Sequence, residues 1–350
     1  MSMLASAIDV IESTPLPDWM TRGGVNFLVG RTRRRLATRP STDVPFAAMM
    51  GEHAIALHAS EANAQHYEIP SAFFALILGP QRKYSCCLYP QGTETLAEAE
   101  TLALDETIAH ADLQDGQTIL ELGCGWGSLS LALAKRFPKA EITSVSNSAS
   151  QRAFIETGAT MRGLRNLTVV TADMNDFTPN GRFVRIVSVE MFEHMTNWRA
   201  LLTRISGWLQ PEGRLFLHVF SHRSQPYRFD HADKTDWIAQ HFFTGGIMPS
   251  HDLIRQFDDI FTLDEAWQWS GRHYQRTAQD WLANFDAHGQ AIDAILRDVY
   301  GRDAALWKRR WRLFFLATEG LFGHAGGREW GVSHYRLRAS PGCAGILPAS

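Results

Sequence analysis

The stretch Ile119-Leu120-Glu121-Leu122-Gly123-Cys124-Gly125-Trp126-Gly127-Ser128 decides how the rest of this chain is read. A short apolar run enters glycines at alternate positions and leaves in a helical pattern that extends to about Phe137. The pattern is a buried strand, a tight turn and a helix. Glycine lets the backbone turn without a Cβ clash and approach a ligand closely. The free N–H groups of the helix then face whatever lies over the turn. Such a turn belongs to a nucleotide-type cofactor site.

Downstream, strand and helix alternate. Strands are expected over 117–122, 141–146, 167–172, 185–189 and 213–220, with helices over 127–136, 150–161 and 197–209. Short β-rich runs separated by helices predict an α/β fold with a doubly wound, Rossmann-like parallel sheet. Ligands of such sheets sit at the carboxyl ends of the strands, here just after Leu122, Val145, Ala172, Val189 and Phe220. Upstream, residues 1–111 read as a helical N-terminal region that contributes to the active site, with helices over 47–58, 72–78 and 95–110. Glu98, Thr101 and Asp105 share one face of the last of these, toward water. A cofactor-binding domain is expected over 112–338. It carries a substrate cap of helical insertions over about 222–325 (helices at 252–258, 278–288 and 304–321) and a final strand pair within 328–337. The small-residue tail 339–350 is expected to be disordered.

Composition narrows the class. With 45% hydrophobic residues, 20% charged residues and a net charge of −3, the chain has the make-up of an ordinary globular protein. A nucleic-acid partner would call for a basic balance. No apolar run reaches the roughly 18 residues of a membrane span. The four cysteines, Cys86, Cys87, Cys124 and Cys343, show no C-x-x-C spacing, so no disulfide framework and no metal site are expected, and a cytoplasmic location is. The basic segments Arg31–Arg35 and Lys308–Arg312 read as solvated faces, with membrane contact expected only if the substrate is a phospholipid.

A dinucleotide site would need G-x-G-x-x-G and an acid at the end of the second strand. Here the glycines are Gly123, Gly125 and Gly127, an acid (Glu121) precedes them, and the second strand ends in Ser146-Asn147-Ser148. The pattern E-x-G-x-G-x-G resembles the first motif of class I S-adenosylmethionine (SAM) methyltransferases, and Thr171-Ala172-Asp173-Met174 resembles their adenine-contacting segment.

The resemblance extends through His66-Tyr67-Glu68-Ile69-Pro70, Lys83-Tyr84-Ser85-Cys86-Cys87-Leu88-Tyr89, Ser144 to Gln151, and Val187-Ser-Val-Glu190-Met-Phe-Glu193-His194-Met195. Together these resemble the cyclopropane-fatty-acyl-phospholipid synthase superfamily. Its lipid branch carries glycine in the pattern S-V-G-M-F-E-H, where this chain has Glu190. That glutamate, with the runs Phe242 to Ser250, Gly271 to Tyr274 and Arg328 to Tyr335, resembles the coclaurine N-methyltransferase branch. The resemblance implies SAM as cofactor, held by Tyr67, Tyr84, Ser85, Glu121, the three glycines, Asn147, Gln151 and Asp173. In the lipid enzymes, residues matching Cys86, Glu193, His218 and Tyr274 hold a bicarbonate. Glu190 places a carboxylate near that anion, and like charges repel in a dry pocket.

An amine acceptor arrives protonated, and only its free lone pair attacks a methyl group. A site for it needs negative charge for the ammonium and an acceptor for its proton. Glu190, Glu193 and His194 meet that need: Glu190 for the ammonium, Glu193 and His194 for the proton. Two close carboxylates raise one pKa. Trp330, Tyr335, Phe242, Phe243 and Tyr89 are candidates for an aromatic acceptor pocket, Trp330 and Tyr274 foremost. The expected activity is thus SAM-dependent N-methylation of a small aromatic or alkaloid-like amine. The alternatives are methylene transfer to unsaturated phospholipid chains and SAM binding without catalysis.

Overall fold

The structure is a computed structural model that describes residue 12, residue 14 and residues 16–38, 40–57 and 69–341. Tyr67, most of the tail (342–350) and its Cys343 lie outside the described residues.

Five parallel strands form the expected frame: β1 (Thr118–Leu122), β2 (Glu141–Ser146), β3 (Leu167–Thr171), β4 (Phe183–Val189) and β5 (Leu209–His222). The short strands β6 (Tyr227–Arg228) and β7 (Ile247–Met248) pair separately. Two antiparallel strands, β8 (Phe261–Ser270) and β9 (Trp330–Ala339), complete a seven-stranded sheet of order β3-β2-β1-β4-β5-β9-β8. Ile119, Leu120, Leu122, Ile186 and Leu217 are fully buried, as strands covered on both faces must be.

The helices are α1 (Asp18–Thr38), α2 (Asp43–Met50), α3 (Ser71–Ile77), α4 (Leu96–His110), α5 (Ser128–Arg136), α6 (Ala149–Met161), α7 (Trp198–Trp208), α8 (Trp237–His241), α9 (Gly271–Ala287), α10 (Gly289–Tyr300) and α11 (Ala304–Gly323). Helices α4, α6 and α7 each carry a side-chain cap at their start. Thr95 closes a capping box with Glu98 at the start of α4. Ser148 and Asn197 cap α6 and α7 through their side-chain oxygens. Glu98, Thr101 and Asp105 of α4 face water, as expected.

Four expectations need correction. The final strand pair is not contained in 328–337: β9 is a single strand, and its partner β8 lies about sixty residues upstream in a segment read as cap. The region 222–325 is therefore not one helical insertion, because 261–270 returns to the main sheet. The helix expected over 47–58 ends at Met50, where the Gly51 N–H bonds back to the Ala48 and Met49 carbonyls. The chain is ordered past 338: Ala339 ends β9, and Ser340 Oγ donates to the Asp258 carbonyl at 2.7 Å.

The acceptor side is built by α1, α9, α10 and α11 around a core that includes Phe73, Trp281, Trp311 and Phe315. Helix α1 is tied down by ion pairs: Arg22 to Glu319, Arg33 to Glu329, and Asp18 to Arg312. Of the segments expected to be solvated basic faces, Arg31, Arg33, Arg34 and Arg35 are exposed, whereas Lys308, Arg310 and Arg312 are part-buried and pair with Asp293, Glu12 and Asp18. Among the described residues, no helix is long and apolar enough to cross a membrane.

Candidate active site

The cofactor cleft opens at the carboxyl ends of β1, β2 and β3. Its floor is the glycine turn. The N–H groups of Gly123 and Cys124 both donate to the Val145 carbonyl of β2, at 3.0 and 2.9 Å, and the Gly127 N–H donates to the Cys124 carbonyl. Gly123 and Gly127 sit at φ +77° and +76°. A Cβ on Gly123 would stand 2.7 Å from that of Met191, and one on Gly127 would stand 2.5 Å from Ile155 Cγ1. Larger residues are excluded at both by backbone and by space.

Glu121 lies beneath this turn rather than in the cleft. Its Oε2 accepts from Ser130 Oγ of α5 and from Ser144 Oγ of β2 at 2.9 Å, so it clamps the strand, the turn and the helix together. Burial raises its pKa to about 7, against the opposing pull of the two hydroxyl donors.

Asn147, Gln151 and Asp173 line the cleft, as expected. Gln151 Oε1 accepts from Ser146 Oγ at 2.6 Å. Its Nε2 is buried without a hydrogen-bond partner among the described residues. Asp173 accepts the Asn175 N–H at 2.8 Å, and Asn175 in turn accepts the N–H of Ala56, a residue of the N-terminal region that also lines the cleft. The cleft fits a nucleoside cofactor on two observations. Gly125 presents bare backbone with no atom within 4 Å of where its Cβ would stand, and the Gln151 amide offers a buried donor. Tyr84, Ser85 and Gly127, expected to bind cofactor, do not line the cleft. The Tyr84 ring packs on Phe74 and Trp281, and Ser85 Oγ accepts from Lys83 Nζ at 2.5 Å.

Glu190 follows β4 at φ +48°, a left-handed conformation uncommon outside glycine. Its carboxylate meets three partners: the Cys86 N–H donates to Oε1 at 2.9 Å, Tyr274 Oη donates to Oε2 at 2.6 Å, and His218 Nε2 stands 3.2 Å from Oε1. These belong to three of the four residues that the superfamily resemblance assigns to bicarbonate. The side-chain carboxylate of Glu190 itself occupies their donors. Burial pushes its pKa up, opposed by the charge of Lys83, the Cys86 N–H and the Tyr274 hydroxyl. Lys83, missed by the sequence reading, is buried with its ammonium on Ser85 and the Cys86 carbonyl.

A 3₁₀ turn over Phe192–His194 sends the next two candidates apart. His194 shares the cleft with Glu190 and stacks on Phe243, with ring centroids 4.8 Å apart. The Glu193 carboxyl lines neither cavity. It is fully buried, its Oε1 accepts the Phe220 N–H at 2.6 Å, and its Oε2 has no partner among the described residues. Burial, then the charge of Glu190, drives its pKa well above the carboxylate range, and its hydrogen bond to the Phe220 N–H braces β5.

The acceptor cavity lies beyond Tyr274. Phe220, Tyr227, Phe229 and Phe243 face it from the cap side, and Leu28 from α1. Trp330 does not line it: its Nε1 donates to Tyr227 Oη at 3.0 Å, so it positions a wall residue from behind. Phe242 stacks on Phe314 in the core, Tyr89 bonds to Asp280, and Tyr335 donates to the His251 carbonyl. Of the aromatic candidates, Tyr274 and Phe243 reach the cavity. Arg31 and Arg35 reach it too, facing Asp233 and Asp236. Among the described residues, no group of three or more His, Cys, Asp or Glu side chains is placed to hold a metal.

A glycine turn after β1, a polar β2 end without an acid, and antiparallel strands appended to five parallel ones define a SAM-dependent methyltransferase. The sequence profile of the mycolic acid cyclopropane synthetase family matches residues 56–325, and the chain belongs to that family. It is 34% identical to (S)-coclaurine N-methyltransferase of Thalictrum flavum subsp. glaucum over 285 residues, 80% of this chain and 79% of that protein. Pavine N-methyltransferase of the same plant is 28% identical over 340 residues, covering 94% and 95% of the two chains. A crystal structure of coclaurine N-methyltransferase bound to N-methylheliamine and SAH superposes with a TM-score of 0.91 at 30% identity, over 96% of this chain and 100% of that one.

Proposed function

We propose that this chain transfers the methyl group of SAM to the nitrogen of a small aromatic, alkaloid-like amine. One observation carries the reading: the Glu190 carboxylate lines the cofactor cleft and accepts the hydroxyl of Tyr274, a wall residue of the aromatic cavity. The names of its relatives support the same chemistry. Bound in the cleft, SAM supplies an electrophilic methyl on a sulfonium. Glu190 draws the substrate ammonium to the junction of the two cavities. His194, on the same side of the cleft, takes the proton and frees the lone pair. Phe220, Phe229 and Phe243 enclose the aromatic body of the acceptor and exclude water. Holding the nitrogen in line with the methyl supplies most of the acceleration. Tyr274 bridges the two cavities by binding Glu190 from the acceptor side.

Methylene transfer to a lipid chain is disfavoured, because the donors that would hold bicarbonate already hold Glu190. The proposal places the reaction in the cytoplasm, where adjacent free thiols such as Cys86 and Cys87 stay reduced. Incubation with methyl-labelled SAM, a panel of benzylisoquinoline-type and simpler aromatic amines, and unsaturated phospholipid vesicles tests the proposal. Label is expected in an amine product by mass spectrometry. Label confined to the lipid acyl chains would overturn it.

A further inference from the structure

A line of ring nitrogens leads from Glu190 to the protein surface. Strands β5 and β9 pair with His218 opposite His334, and His334 lies opposite Trp267 on β8. His218 Nε2 is 3.2 Å from Glu190 Oε1, and His218 Nδ1 is 2.8 Å from His334 Nε2. His334 Nδ1 is 2.8 Å from His110 Nδ1 at the end of α4, and His110 Nε2 is 3.3 Å from Glu106 Oε1. Glu106 is 42% exposed, whereas His218 and His334 have no exposure at all. His110 stacks flat on Trp267 at 3.8 Å.

Burial holds His218 and His334 well below the usual histidine range, so both rings are neutral. A neutral imidazole has one donor and one acceptor. The hydrogens of the chain must therefore all point the same way. Pointing inward, His218 Nε2–H donates to an ionised Glu190. Pointing outward, a bare His218 Nε2 faces Oε1, which only a protonated Glu190 satisfies. A ring flip about Cβ–Cγ exchanges nitrogens for carbons, not one nitrogen for the other, so the direction is not reversed by rotation.

The inner end decides the direction. The Cys86 N–H, Tyr274 Oη and the nearby Lys83 ammonium favour a carboxylate at Glu190, and setting a bare His218 Nε2 against its Oε1 in a buried site is costly. At the outer end, water reaches Glu106 and relieves a bare His110 Nε2. The charged groups around His110 are Glu106, Glu265 and Arg336. Those around His218 are Lys83 and Glu190, and Trp269 and Phe216 supply the apolar walls of the chain.

We propose that His110, His334 and His218 form a tautomer lock that keeps Glu190 ionised, so that Glu190 holds the substrate ammonium while the proton leaves through His194. His334 and His110 are positioning residues that act through His218. The division of roles rests on the N-methylation reading, but the lock itself does not.

The lock is tested first on the unmodified protein without substrate, by ¹⁵N NMR of its histidines. His218 is expected to carry its proton on Nε2 and His334 on Nε2. A proton on His218 Nδ1 would overturn the lock whatever the enzyme methylates. The second arm is kinetic. His110→Leu removes the outer donor, while His110→Asn keeps a donor near the Nδ1 position. In the leucine variant KM for the amine is expected to rise about tenfold, as for loss of a hydrogen bond to a charged group. Its acid limb of kcat/KM should move to higher pH, with SAH affinity and melting temperature unchanged. The asparagine variant should behave nearly as the wild type. Equal pH profiles for a folded leucine variant and wild type would refute the positioning role. Failure to methylate any amine would instead count against the N-methylation reading and leave the NMR result standing.

Discussion

The cofactor cleft and the acceptor cavity are linked by the hydrogen bond of Tyr274 to Glu190 but are built in opposite ways. The cleft is assembled mainly from consecutive βα units closed by nearby bonds, Gly127 to Cys124, Ser148 to Gln151 and Asp173 to Asn175, with Ala56 and Thr244 added from outside them. The cavity is assembled from opposite ends of the chain, and the Arg33–Glu329 pair that helps hold α1 over it spans 296 positions. Local construction gives a rigid cofactor site. Distant construction leaves the acceptor site free to change shape without disturbing it. Variants should therefore split into those that touch one half and those that touch both.

The largest effect is expected at the junction. Glu190→Gly removes the carboxylate and relieves a left-handed backbone that costs a non-glycine residue about 1–2 kcal/mol. Amine kcat/KM should fall about a thousandfold, roughly 4 kcal/mol of transition-state stabilisation, while SAH affinity by calorimetry stays the same. The melting temperature should fall less than the loss of these buried hydrogen bonds alone implies, because backbone strain is relieved at the same time. A large drop in stability with activity retained would mean that Glu190 is structural.

Next in size is a test confined to the cofactor half. Glu121 titrates near 7 in the fold and near 4.5 when unfolded. The native state therefore holds its proton more tightly, and this contribution is full below about pH 4.5 and lost as pH rises through 7. The shift corresponds to about 3 kcal/mol. Urea unfolding of wild type and Glu121→Gln across pH 5–8 should show the wild type losing most of that difference relative to the variant. Parallel pH curves would place the Glu121 carboxyl in contact with water.

The same division decides what was legible. Asn147, Gln151 and Asp173 were readable because each follows its strand at a fixed short offset, where the ligand must lie. Glu121 and Gly127 were read as ligands because a motif records position, not direction: both serve the turn from below. Glu193 was grouped with His194 because they are adjacent in sequence, whereas the 3₁₀ turn sends the Glu193 carboxyl to β5 and His194 to the cleft. Strand β8 and the His218–His334 pairing were not legible at all. Register between strands 116 positions apart is set by packing, which a linear pattern does not carry. Only the unassigned His334 in the run ending at Tyr335 hinted at it.

A smaller effect is expected from filling the distant half. Leu28 of α1 faces the cavity, so Leu28→Trp should raise KM for a bulky amine roughly tenfold, about 1.4 kcal/mol of binding. SAM binding should be untouched. A matching loss of SAH affinity would show that the two halves are coupled more tightly than their construction suggests.

The smallest effect concerns the fastening of α1. Arg22 grips Glu319 with Nη2 at 2.9 Å and Nε at 3.3 Å, and Gln279 Nε2 donates to the same carboxylate at 3.0 Å. Glu319 is 11% exposed while Arg22 is 39% exposed, so solvent screens one partner and not the other. Arg22→Met keeps the aliphatic stem and removes the fork, and should lower stability by about 1 kcal/mol, within the range for part-exposed pairs. Gln279 remains to satisfy the carboxylate, which keeps the loss small. Because α1 is a wall of the acceptor cavity, KM for the amine should rise two- to threefold, on the order of 0.5 kcal/mol. Screening is largely complete at 1 M salt, where the Debye length is about 3 Å. High salt should therefore raise the wild-type KM toward that of the variant and leave the variant nearly unmoved. A salt effect of equal size in both proteins would assign it to the substrate ammonium and Glu190 rather than to the fastening of α1.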